Sequence, residues 1–154
     1  MRSVRRRSAA LLFPPSRKKS DHSELMERLR RDADRIARHF DLAYREISPE
    51  RANVKRRYGV CYNDGRILVR LNHARTGGAL KYSSLINTIC HELAHLRHFN
   101  HGPRFKDFYF QIVEYARREG IYRPGRAPLR DWIQMDLFGP GPVRDGAIAR
   151  RMGD

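Results

Sequence analysis

The tightest constraint on this chain is the run Ile89-Cys90-His91-Glu92-Leu93-Ala94-His95, where two histidines four positions apart enclose a glutamate. The pattern carries chemistry only on a helix. Each residue there turns the chain by about 100°, so His95 lies only about 40° around from His91 and one turn along. Both imidazoles can then reach a single metal from the helix's polar face. The neighbours predict that helix: Leu85, Ile86, Ile89, Leu93 and Leu96 share an apolar side within residues 82–99. Neutral imidazoles at about 2.0–2.1 Å suit zinc, and three protein ligands leave the fourth tetrahedral position for water. Zinc acidifies such a water and polarises a substrate carbonyl. Glu92, about 100° around from His91, can hold the water without ligating, take its proton and hand it to a leaving group. The plainer alternative is a surface helix that happens to carry histidines. It is disfavoured by the coherent apolar flank and by a third histidine close behind.

Two residues compete for the third ligand position. His98 shares a face with His91, but its Cα lies about 10 Å further along the axis. His101 would face elsewhere if the helix continued. Asn100, Gly102 and Pro103 indicate that it does not, because Asn and Gly accept the left-handed conformation that ends helices and Pro starts the next. A turn there favours His101 and leaves His98 exposed or in a supporting position.

The rest of the chain predicts an α+β domain over residues 21–124, between a basic arm (1–20) and a C-terminal tail (125–154). Leu25, Leu29, Ala33, Ile36 and Phe40 recur at helical spacing within 24–40, with Ser20 or Asp21 as the cap. A short strand is expected at 42–47. Two β-rich runs, 57–62 and 66–71, flank Asn63-Asp64-Gly65 and predict an antiparallel hairpin. Pro103 opens a helix carrying Phe105, Phe108, Ile112 and Ala116, which ends near Gly120.

Charge points to a partner. Against 17 Asp and Glu stand 32 Lys and Arg, a formal net charge of +15 in 154 residues. Such a field draws in polyanions, of which nucleic acid is the commonest in a cell. The arm holds Arg2, Arg5, Arg6, Arg7, Arg17, Lys18 and Lys19 and no acid. It is either a sequence-indifferent, salt-sensitive phosphate contact or a plain solvated terminus. Cys61 and Cys90 are too few for a disulfide framework and form no CxxC pair, so reduced thiols packed in the core are expected. The apolar run at 9–13 is too short for a signal peptide, and no stretch approaches the ~20 apolar residues of a membrane helix. The expectation is a soluble cytoplasmic protein, nucleoid-associated if the chain is bacterial.

With these residues in hand, the segment from His91 to Phe105, HELAHLRHFNHGPRF, resembles the SprT-like metalloprotease family, which includes Spartan-type enzymes. The compact histidine spacing is also that of the related YgjP-like proteins. Upstream, Arg57-x-Gly59-x-Cys61 followed by residues 67–72 is similar to the strand pair preceding the zinc helix in that family. The resemblance spans roughly residues 24–122 and implies a zincin-like core, a small antiparallel sheet packed on helices. It also implies zinc-dependent cleavage of proteins bound or crosslinked to DNA. It carries ligand roles onto His91, His95 and His101 and the base role onto Glu92. The hairpin's outer strand, near 67–71, is expected to lie above the zinc helix and pair with an extended substrate. This chain departs from many relatives in lacking a C-terminal Cys-rich zinc ribbon.

Further candidates lie outside that segment. Gln134-Met135-Asp136-Leu137-Phe138 resembles the QxxLF peptide by which bacterial proteins dock on the sliding clamp, with Leu137 and Phe138 for an apolar pocket and Gln134 as a polar anchor. The alternative is that Trp132, Met135 and Leu137 pack a terminal helix onto the core. Tyr109 and Arg104 are candidates for stabilising an oxyanion, though the sequence positions neither. Two rival functions remain: a metal-dependent hydrolase of a phosphate ester or nucleotide, and a non-enzymatic DNA- or clamp-binding protein with structural zinc. Glu92 argues against the second, since a structural site has no use for a carboxylate beside an open position.

Overall fold

A computed structural model describes residues 17–125, with side chains from Asp21 onward. The arm residues Arg5–Arg7 and the QxxLF-like segment (Gln134, Leu137, Phe138) lie outside the described residues. Six elements follow in order: α1 (Arg17–His39), β1 (Glu46–Pro49), β2 (Gly59–Cys61), β3 (Arg66–Val69), α2 (Tyr82–His95) and α3 (Pro103–Arg118).

The α1 helix buries Met26, Leu29, Ala33, Ile36 and Ala37, the three-and-four spacing that makes an amphipathic stripe. It begins earlier than residue 21, so Arg17, Lys18 and Lys19, assigned to the arm by sequence, are helical. No Gly or Pro interrupts residues 16–23, and the helix propagates back almost to Pro15. It stops where Asp41 takes a left-handed φ of 53° and the Leu42 amide returns to the Ala37 carbonyl at 2.8 Å.

The hairpin forms as predicted. Gly65, at φ 85°, lets its amide reach the Tyr62 carbonyl at 3.0 Å, and β2 pairs antiparallel with β3. The first strand falls at Glu46–Pro49 rather than 42–47, and it joins β3 in parallel, so the sheet is mixed, in the order β1-β3-β2. A β1 running opposite to β2 must run with β3, because the hairpin reverses direction between them. The strand expected outermost, near 67–71, is therefore the central one, and β2 is an edge.

Ile47, Cys61, Ile67 and Val69 project from one side of the sheet and are almost fully buried. They join Leu29, Ile36, Leu85, Ile89, Leu93, Phe105 and Ile112 in one core. The α2 helix runs through the middle, touching α1, α3, β2 and β3. Every residue from Leu85 to His95 is buried. Truncating a fully buried leucine such as Leu85 or Leu93 to alanine costs about 2–5 kcal/mol. A helix enclosed on all sides also buries its polar residues, here Asn87, Thr88, His91, Glu92 and His95. Each must find a partner or be costly. No helix among the described residues is long and apolar enough to cross a membrane.

Candidate metal centre

The α2 helix ends at His95, four residues before the expected stop at Phe99. Its last turn tightens: the Leu96 amide reaches the Leu93 carbonyl at 3.1 Å and the Arg97 amide reaches Ala94 at 3.2 Å. The Arg97 guanidinium then donates to the Phe40 carbonyl at 2.6 Å and sits 4.2 Å from the Phe108 ring centre, drawing the chain off the helix axis. Gly102 and Pro103 restart it as α3, as their sequence predicts.

This turn brings His101 back over His91 and His95. The three Nε2 atoms form a near-equilateral triangle: His91 to His95 3.1 Å, His91 to His101 3.1 Å and His95 to His101 3.0 Å. Beneath them lies the buried Phe105 ring, its centroid 4.9, 4.5 and 4.8 Å from those of His91, His95 and His101. His98 stays outside the triangle. Its ring meets Phe108 edge-on at 5.7 Å, while its carbonyl accepts a hydrogen bond from His95 Nδ1 at 3.1 Å. A proton on Nδ1 leaves the lone pair on Nε2, aimed at the triangle.

The electrostatics keep the imidazoles neutral. Burial, then the neighbouring His95 and His101, holds His91 down at about 2. Burial and His101 hold His95 near 4, and burial with Lys106 lowers His101. Three neutral nitrogens facing one another at this spacing fit a divalent cation. A tetrahedral ion with bonds of about 2.0–2.1 Å sets its ligand atoms about 3.3–3.4 Å apart, within a few tenths of the observed edges. These histidines are the one such group of potential ligands among the described residues.

Glu92 is buried beside the triangle. The Cys61 backbone N–H donates to its carboxylate. Burial pushes its pKa up to about 8, while the Cys61 amide and the Arg57 guanidinium pull the other way. Gly59 lies against it: a Cβ there would fall 2.8 Å from Glu92 Oε1. The edge strand β2 thus seats the carboxylate with one backbone amide and leaves it room with one missing side chain.

The remaining sequence candidates divide. Tyr109 is buried, and its hydroxyl donates its one proton to Asn87 Oδ1 at 2.6 Å. Arg104 is exposed on the first turn of α3. Both cysteines are free and buried; desolvation raises Cys61 to about 12 and Cys90 further, so both are inert thiols packed in the core, as expected.

The sequence profile of the YgjP-like metallopeptidase domain matches residues 17–119, all six elements and the whole histidine cluster. The chain belongs to this family. A YgjP-like domain is a metallopeptidase, and its fold is α+β with three helices and a small mixed sheet. The same architecture occurs in the crystal structure of Wss1 from Saccharomyces cerevisiae, with a TM-score of 0.62 at 17% identity over 70% of this chain and 88% of that one. Wss1 from S. pombe aligns with a TM-score of 0.55 at 27% identity, covering 64% of this chain and 82% of that one. No curated protein sequence matches.

Several contributors to the site had no signal that sequence reasoning could use. The Cys61 amide and the His98 carbonyl act through backbone atoms, which carry no residue-type signature. Arg57 and Gly59 stood in the Arg57-x-Gly59-x-Cys61 motif, but only the fold brings that motif against Glu92. Asn87 lies one turn before His91, a placement that could have marked it as a buried partner within α2.

Proposed function

We propose that this YgjP-like domain is a zinc peptidase in which His91, His95 and His101 hold the ion and Glu92 is the general base, acting on proteins bound to nucleic acid. The observation that carries the reading is the triangle of three Nε2 atoms at 3.0–3.1 Å with a buried carboxylate beside it. When bound, zinc supplies Lewis acidity to a water and to the scissile carbonyl. Glu92, raised to about 8 by burial, sits close to working pH and can both accept a proton and return it to the leaving amine. A cation on the triangle lowers that value and favours the carboxylate form.

The substrate-pairing role expected for the strand near 67–71 passes to β2. Arg70 N to Tyr58 O at 2.7 Å and Tyr62 N to Arg66 O at 2.8 Å tie alternate residues of this region to β3. The backbone groups of Gly59 and the carbonyl of Cys61 therefore point the other way, toward the open edge, where the Cys61 amide is held by Glu92. An extended peptide laid along that edge passes Glu92. The net charge of +15 supports substrates held on nucleic acid, as does the resemblance of the histidine segment to SprT-like enzymes.

The test is cleavage of a DNA-binding protein by the zinc-loaded chain and by Glu92→Gln, with and without single-stranded DNA, at low and high salt. Cleavage that needs Glu92, rises with DNA and fades with salt is expected. Zinc bound stoichiometrically with no cleavage under any condition, or release of phosphate from an ester in place of peptides, overturns the proposal.

A further inference from the structure

Positive charge is unevenly distributed over this domain. Residues 45–70 contain seven Arg or Lys against three acids, whereas residues 21–39 carry five of each. Four of the seven are committed within the fold. Arg57 pairs with Glu50 at 2.8 Å, Arg66 and Arg45 share Asp64 at 2.7 and 3.6 Å, and the buried Arg70 donates to the Val54 carbonyl. Arg51, Lys55 and Arg56 remain, exposed and in no ion pair among the described residues.

All three stand on the crossover 50–58 that links β1 to β2. Its shape is pinned from below. The Glu50 amide bonds the Val69 carbonyl at 2.8 Å, Val54 N reaches Arg51 O at 3.1 Å, and the Arg57–Glu50 pair ties one end to the other. Arg70 holds the middle through Val54. The cations are thus displayed by an ordered segment, which reduces the ordering cost of meeting a charged partner. Lys55 and Arg56 precede Gly59 by four and three residues, so chain reach keeps them within about 14 Å of the strand that seats Glu92.

We propose that the crossover 50–58 is a nucleic-acid contact in which Arg51, Lys55 and Arg56 neutralise phosphates of a backbone running past the mouth of the His91–His95–His101 site. This rests on the peptidase reading for its purpose, presenting nucleic-acid-bound proteins to the site, although the contact itself needs no turnover. Guanidinium and ammonium groups without acid partners suit phosphate oxygens, and the chain's large positive charge steers a polyanion toward them. An acidic peptide would exploit the same three charges, and the test separates it.

The experiment is fluorescence anisotropy of the full chain with a labelled single-stranded oligonucleotide across a salt series. It compares the parent, Arg51→Ser/Lys55→Ser/Arg56→Ser, and the charge-matched control Arg31→Ser/Arg38→Ser/Arg117→Ser. At about 0.7 per neutralised phosphate on a single strand, the crossover triple should lower the slope of log affinity against log salt by about 2 and weaken binding roughly tenfold or more. The control should change both far less. Equal losses in the two triples, or displacement of the oligonucleotide by polyglutamate at the same charge concentration, overturns the proposal. Repeating the titration on Glu92→Gln, where binding should match the parent, reads the contact separately from the peptidase mechanism.

Discussion

Gly59 packs β2 directly against Thr88 and Glu92 of α2, and a methyl group there has no space. An ideal Cβ falls 2.7 Å from Thr88 Cγ2, 2.8 Å from Glu92 Oε1 and 3.0 Å from Glu92 Cγ. Carbon atoms pack at about 3.5–4.0 Å, so Gly59→Ala requires a shift of close to ~1 Å. Thr88 resists it, being buried with its hydroxyl on the Ser84 carbonyl at 3.1 Å. Glu92, with more rotatable bonds, yields first and leaves the Cys61 amide. The residual overpacking costs about 1–3 kcal/mol, or roughly 5 °C of melting temperature per kcal/mol. A base displaced by about 1 Å loses on the order of a hundredfold in rate. The assay is kcat/KM on a fluorogenic peptide, with a melting curve and zinc content for each protein. Gly78→Ala serves as the control, since its Cβ meets nothing closer than Thr76 Oγ1 at 3.5 Å. Gly59→Ala should keep its zinc, melt several degrees lower and lose about a hundredfold in rate, while Gly78→Ala matches the parent. A Gly59→Ala rate within twofold of the parent refutes the reasoning, as does a loss explained by missing zinc.

Two further outcomes follow from the same geometry. Tyr109→Phe leaves Asn87 Oδ1 without its 2.6 Å donor in a buried site, and should lower stability by about 1–3 kcal/mol in denaturant titration while changing kcat less than threefold; a rate loss of a hundredfold would return Tyr109 to the chemistry. The chelator-treated chain should be most stable near pH 6.5. Below that value the unfolded chain protonates histidines that the fold holds neutral (His91 near 2, His95 near 4, His101 lowered), so stability falls as pH drops toward about 4. Above it Glu92, raised to about 8, keeps a proton the unfolded chain has lost, and stability falls more gently up to about pH 8. Melting temperatures across this range, flat on the acid side or rising from 6.5 to 8, would contradict those shifts.

The histidine pair, its glutamate and the third histidine were legible because helical periodicity and the Asn100–Pro103 break act over a few residues. The same holds for the Gly65 turn and the apolar stripe of α1. Harder to read were features decided across the fold. Helix α2 stops at His95, where Arg97 binds Phe40, just past the end of α1, and Phe108 on α3. The place of β3 at the sheet's centre depends on where the crossover 50–58 lets β1 dock, which no local pattern records. The seating of Glu92 depends on the Cys61 amide and on the absence of a side chain at Gly59, a backbone atom and a missing atom.

The most direct test of the account pairs metal stoichiometry with proteolysis on four proteins: the parent, Glu92→Gln, His101→Ala and His98→Ala. One zinc per chain and cleavage are expected for the parent and for His98→Ala, whose carbonyl remains to orient His95. Zinc without cleavage is expected for Glu92→Gln, and the loss of both for His101→Ala. Cleavage by Glu92→Gln, or tight zinc retained by His101→Ala but lost by His98→Ala, would contradict it.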